Sequence, residues 1–191
     1  VKHRWTSPIG GIIQFGHIKN EADVYKYQSA EFNLVIFDEL THFTEKMYTY
    51  LFSRLRTSDP LIKCKVKCAS NPGGIGHGWV KKRFIENKNP YKIYTKHIKL
   101  PDGTEGEWSQ CFIPATVYDN KYLVKNDPMY VARLMELPEV ERSALLYGDW
   151  NICLTANLLK TIEYVMGKFS LQVHNPITRS GEFFIFPIKP A

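Results

Sequence analysis

The sequence predicts an α/β fold with a mostly parallel core sheet flanked by helices. Leu34-Val35-Ile36-Phe37 is an unbroken apolar run, the pattern of a strand buried on both faces of a parallel sheet. A helical segment and a second strand pattern follow it. Asp38-Glu39 stands where the first strand should end, and open α/β sheets bind ligands outside the carboxyl ends of their strands.

Ile9 to Ile18 is apolar but interrupted by Gly10, Gly11 and Gly16, which predicts a strand with a turn before it. Tyr25 to Phe32 is a linker or short helix leading into the Leu34–Phe37 strand. Met47, Tyr50, Leu51 and Leu55 fall on one helical face, with Thr44 as N-cap and Glu45 in the first turn. Ile62 to about Ser70 is the second strand, broken by Asn71-Pro72-Gly73-Gly74. Trp79 to Ile85 reads as a short helix with a basic face. Lys92 to Leu100, the turn Pro101-Asp102-Gly103 and a return through Cys111-Phe112-Ile113 predict a hairpin. Asp127-Pro128 reads as an N-cap with proline at the first helical position. Another helix starts near Pro138 and stops at Gly148, which suits a position just past a helix end. Leu154 to Met166 suits one more helix. The segment through Phe183-Phe184-Ile185-Phe186-Pro187 is apolar and has no clear periodicity.

With 191 residues, 44% of them hydrophobic, the chain can bury one ordinary core. No run approaches the roughly 20 apolar residues that span a bilayer, and no secretory leader is visible. The expectation is a protein that is neither secreted nor in a membrane. Lysine and arginine outnumber aspartate and glutamate by 25 to 19, a formal charge of +6. The cations cluster at Lys63-Lys65-Lys67 and Lys81-Lys82-Arg83, which favours a polyanionic partner, nucleic acid first. Four cysteines are too few for a disulfide scaffold of this length. Cys64 and Cys68 lie four apart on an alternating strand, roughly 13 Å in all, too far to share one zinc. They read as small buried apolar residues.

Nucleotide hydrolysis needs a metal near the phosphates and a group that activates water. An aspartate at a strand tip can hold Mg²⁺, and a neighbouring glutamate can take the proton of the attacking water. Asp38 and Glu39 match those tasks. Ser70-Asn71, at the tip of the second strand, can sense a terminal phosphate. Arg54 and Arg56, ending the helix after Asp38-Glu39, and Lys81, Lys82 and Arg83 are candidate phosphate or DNA contacts. Gly73-Gly74-Ile75-Gly76-His77-Gly78 is not a P-loop, because Trp79-Val80 stands where lysine and serine or threonine are required. It reads as a hinge or a DNA-facing loop. No other segment supplies the phosphate cradle.

An ordered series of segments resembles the large subunit of tailed-bacteriophage terminases. Tyr27-Gln28-Ser29-Ala30-Glu31-Phe32-Asn33-Leu34-Val35-Ile36-Phe37-Asp38-Glu39-Leu40-Thr41-His42-Phe43 is similar to that family's Walker B region. Ser53-Arg54-Leu55-Arg56-Thr57, Ala69-Ser70-Asn71-Pro72-Gly73-Gly74, Gly78-Trp79-Val80 and Arg83-Phe84 continue the likeness. Phe112-Ile113-Pro114-Ala115 and Tyr147-Gly148-Asp149-Trp150 resemble the end of the ATPase region.

The resemblance implies a partial RecA-like P-loop ATPase fold. Residues 1–150 would be the C-terminal part of the ATPase domain, and 151–191 an unmatched tail where the family has an RNase H-like nuclease. It implies a motor that hydrolyses ATP with Mg²⁺ and packages double-stranded DNA into a procapsid. The portal protein and a small terminase subunit would be partners. The full-length protein would form a homo-oligomeric ring in the host bacterial cytoplasm, transiently at the portal. By position, Asp38 would sit with Mg²⁺ and Glu39 would be the catalytic base. Ser70 and Asn71 would be the coupling motif beside the nucleotide. Ser29 stands where the family usually has glycine, and no Walker A segment or nuclease carboxylates are found. The chain alone is therefore expected to be inactive as an ATPase. The alternatives are an inactive DNA-binding or assembly remnant, or another P-loop translocase.

Overall fold

The computed structural model describes residues 4–152 and the backbone of residues 181–186. The chain divides into two units. One lies within Val1–Gly76 and takes in the late strand, and the other lies within His77–Cys153.

The first unit is built on a mixed sheet of β1 (Arg4–Thr6), β2 (Ile12–Ile18), β3 (Leu34–Phe37), β4 (Lys65–Cys68) and β7 (Gly181–Phe186). Their order is β1-β2-β7-β3-β4. β3 and β4 are parallel, whereas β1–β2, β2–β7 and β3–β7 are antiparallel. The parallel pair carries Asp38-Glu39 and Ser70-Asn71 just past its ends. β7 fills the place between β2 and β3, although its local sequence pattern does not announce a strand.

β3 alternates in burial: Val35 and Phe37 are fully buried, Leu34 and Ile36 half-buried. Its covered face meets the helix that follows. The Phe37 ring meets Phe43 edge-on at 5.1 Å and tilts against Tyr48 at 5.4 Å. Helix α1 (Glu45–Phe52) starts where the sequence predicts, with Thr44 Oγ1 accepting the Met47 N–H at 3.3 Å. The same hydroxyl donates to Glu21 Oε1 at 2.8 Å and ties the cap to the segment before β3. α1 buries Met47, Tyr48 and Leu51. Each such side chain contributes about 1.5–3 kcal/mol, so this face rather than the short helix's own propensity holds α1 in place.

One expectation for β4 fails. Cys64 is half-buried, but Cys68 is exposed. Among the described residues β4 is the last strand of the sheet order, and no described strand flanks its outer side. Lys65 and Lys67 are exposed on the same strand, the kind of charge that discourages pairing at an open edge.

In the second unit, α2 (His77–Val80) continues into a π turn over Lys81–Ile85, where the sequence predicts one short helix. The predicted hairpin is present as β5 (Tyr94–Lys99) and β6 (Glu105–Gln110). Gly103, at φ 86°, takes the left-handed turn, and Asp102 accepts both the N–H and the hydroxyl of Thr104. Three helices follow: α3 (Lys121–Asn126), α4 (Met129–Met135) and α5 (Glu139–Tyr147). Asp127 does not cap α4; its carboxylate pairs with Arg133, six residues on. Gly148, at φ 61°, closes α5 as expected. Trp150 is buried between His77, stacked at 5.4 Å, and Phe112.

The helix expected over Leu154 to Met166 lies outside the described residues. No helix among the described residues is long and apolar enough to cross a membrane.

Candidate functional site

The parallel register of β3 and β4 makes the site. Phe37 pairs with Cys68, so both strands end level and their next residues emerge side by side. The ladder continues past the strands: Ala69 N–H donates to Phe37 O at 3.0 Å, and Leu40 N–H donates to Ala69 O at 3.0 Å. Asp38-Glu39 and Ser70-Asn71 are thus brought to one rim, as the sequence reading requires.

Glu39 is the strained residue of this rim. Its backbone is left-handed, φ 51° and ψ 61°, a conformation that costs a non-glycine residue about 1–2 kcal/mol. Such strain persists where the surroundings over-determine it, and it concentrates at functional sites. Here Asn71 supplies the restraint. Its N–H reaches Glu39 Oε2 at 3.3 Å and its side-chain amide reaches Oε1 at 3.5 Å. The Leu40–His42 turn that follows Glu39 then hands the chain to α1.

Thr41 is the residue that sequence reasoning missed. It is 2% exposed and lies at the centre of the polar contacts between the two tips. Its N–H donates to Ser70 Oγ at 3.0 Å, and Ser70 Oγ donates back to Thr41 Oγ1 at 3.0 Å. Thr41 Oγ1 donates to Asn71 O at 3.1 Å, and Thr41 O accepts the Gly76 N–H at 2.8 Å. Gly74 passes so close that a Cβ there would stand 2.6 Å from Thr41 O. The glycine-rich loop after Asn71 is therefore fastened to Thr41 at Gly76 and passes close to it at Gly74. A small hydroxyl residue three positions after the aspartate of a strand tip was the available signal.

Asp38 is half-buried, and its carboxylate has no hydrogen bond or ion pair among the described residues. A hard oxygen donor in that state suits a hard cation. The described residues contain no group of three His, Cys, Asp or Glu side chains able to cage a metal. A divalent ion here would take its other ligands from water and phosphate, which is the habit of Mg²⁺. The residues present therefore fit a nucleotide-borne Mg²⁺ and not a dedicated protein cage.

The arginines lie elsewhere. Arg54 donates to Gln28 O at 2.8 Å and sits over the Tyr50 ring at 5.1 Å. Arg56 pairs with Glu31 at 3.2 Å, and its N–H donates to Phe32 O. Both fasten the end of α1 to the segment that enters β3, at the opposite end of that strand from Asp38. The structure does not bring them to the acidic rim. Lys81, Lys82 and Arg83 belong to the second unit, where Lys81 donates to Asn151 Oδ1 at 2.9 Å and Lys82 is exposed. Arg83 lies 5.8 Å from the Phe84 ring centre.

The family model for the phage terminase large subunit matches residues 2–140. That is most of the chain, and the protein belongs to the phage terminase large subunit family. No curated protein and no solved structure matches it.

Proposed function

We propose that this chain carries the water-activating and phosphate-sensing half of an ATP-driven motor that packages double-stranded viral DNA. The observation that carries the reading is the contact of Glu39 with Asn71 at the shared tip of a parallel strand pair. On this reading residues 1–150 are the later part of a RecA-like ATPase domain, and the β3–β4 pair belongs to its parallel core.

Asp38 would hold Mg²⁺, directly or through water. Bound Mg²⁺–ATP supplies the phosphate to be cleaved and the charge neutralisation that its cleavage requires. Glu39 accepts the proton of the attacking water. Asn71 fixes the direction of the Glu39 carboxylate, and Ser70 joins that tip to the buried Thr41. A shift at Asn71 therefore moves both the base and the turn that leads into α1, which is the physical content of coupling. Double-stranded DNA, the portal protein and a small terminase subunit are the partners this reading assigns, in a homo-oligomeric ring at the procapsid portal in the host cytoplasm. The +6 charge is consistent with a DNA partner.

The test joins the chain to a phosphate-binding segment of a packaging ATPase and measures phosphate release with and without duplex DNA. DNA-stimulated hydrolysis is the expected result. A joined protein that binds ATP but hydrolyses none, with or without DNA, contradicts the reading.

A further inference from the structure

The β5–β6 hairpin has two chemically different faces. Side chains alternate along a strand, and directly paired residues share a face. Tyr94, Lys96 and Ile98 pair with Gln110, Trp108 and Gly106, while Thr95, His97 and Lys99 pair with Ser109, Glu107 and Glu105. Both glutamates of the ribbon thus fall on the second face, where His97 stands 3.8 Å from Glu107. The strands give the first face no carboxylate.

A depression of about 220 Å³ opens beside Tyr94, Lys96, Trp108 and Gln110 of that first face, with Lys88 and Thr95 completing a lining that holds no acidic residue. Lys96 Nζ lies 5.3 Å over the Trp108 ring, and Lys92 Nζ lies 5.6 Å over the Tyr94 ring. Lys88, Lys92 and Lys96 make no ion pair with a carboxylate among the described residues. Three lysines without a carboxylate partner, two of them over aromatic rings, call for a polyanion. The hollow is smaller than the roughly 300 Å³ at which small-molecule pockets begin. Each ring carries a lysine ammonium over one face, which leaves less of it open to stack a base than single-strand sites use.

We infer that this face of the hairpin grips the phosphate backbone of double-stranded DNA. Lys88, Lys92 and Lys96 bind the phosphates, and Tyr94 and Trp108 hold the Lys92 and Lys96 ammonium groups in place. The surface is separate in sequence from the Lys81-Lys82-Arg83 cluster. The inference deepens the packaging reading and rests on it only for the choice of duplex as ligand.

The test is fluorescence anisotropy of the full chain with a labelled random-sequence duplex across a salt series. Lys88→Ala/Lys92→Ala/Lys96→Ala is expected to weaken binding by about tenfold or more at low salt. It should also flatten the slope of log K against log salt by up to about 2.7, since each phosphate no longer neutralised removes roughly 0.9. The triple arginine variant should bind like the parent, and Glu107→Gln, on the other face, should bind no more weakly. An unchanged affinity and slope in the triple alanine variant overturns the inference but leaves the motor reading standing. Tighter binding to a single strand than to the duplex overturns the choice of ligand. No duplex binding by the parent chain overturns the inference and removes the DNA partner from the motor reading as well.

Discussion

Asn71 reaches the carboxylate of Glu39 twice, from its backbone N–H at 3.3 Å and from its side-chain amide at 3.5 Å. One residue at the tip of β4 therefore orients the proposed base at the tip of β3. Asn71→Ala removes the amide and keeps the backbone contact. In the joined protein it should lower turnover about 10- to 100-fold while ATP still binds, because a misdirected base loses effective concentration and not affinity. Phosphate release alongside a nucleotide-binding titration checks this. Full-rate hydrolysis by the variant would mean that Asn71 does not position Glu39.

Thr41 predicts a stability effect. Its hydroxyl donates to Asn71 O and accepts from Ser70 Oγ in a nearly water-free place. Thr41→Val keeps the shape and removes those two hydrogen bonds, at about 0.5–1.5 kcal/mol each, or about 1–3 kcal/mol in all. Thr41→Ser keeps the hydroxyl and should cost less. Urea unfolding of the chain, read at the midpoint of the transition of the unit that holds the sheet, measures both. Equal midpoints for Thr41→Val and the parent would show that the hydroxyl does not brace the two tips.

The parts of this site that were legible in the sequence are local. Leu34–Phe37 announced its strand, Asp38-Glu39 its tip, Thr44 the cap of α1, and Pro101-Asp102-Gly103 the hairpin turn, because each depends on a few adjacent residues. What escaped depends on distant partners. β7 is a strand because β2 and β3 flank it, and its own pattern carries no alternation. Cys68 is exposed because β4 lies at the sheet edge, which spacing along one strand does not reveal. The return path of α1 sets Arg54 and Arg56, candidate phosphate or DNA contacts, at the other end of β3 from Asp38, a placement that depends on the packing of α1 and not on their own spacing. Thr41 was overlooked because its role exists only once Ser70 and Asn71 are beside it. The left-handed backbone of Glu39 likewise goes with its contacts to Asn71, 32 residues away, and not with its residue type.

His77 predicts a pH dependence in the second unit. Burial holds its pKa below the ordinary value of 6.5, and the charge of Lys81 lowers it further, against a weaker upward pull from a hydrogen bond with the Trp150 backbone. The unfolded chain takes up this proton near 6.5 and the folded chain does not, so the unfolded state binds more protons there and stability rises with pH. The contribution is complete above 6.5 and is lost progressively as pH falls below it toward the lowered folded value. Thermal unfolding of the unit should therefore move to lower temperature on acidification through this range. His77→Gln should flatten that part of the profile. Parallel profiles for the parent and the variant would remove His77 as the cause.

The central claim is that the carboxylate pair at the end of β3 performs the chemistry of a triphosphate. The most direct measurement is single-turnover ATP hydrolysis by the joined protein carrying Glu39→Gln. Retained nucleotide with phosphate release slowed about 100-fold or more is the expected result, the size of a lost general base. Phosphate release at the parent rate would contradict the claim.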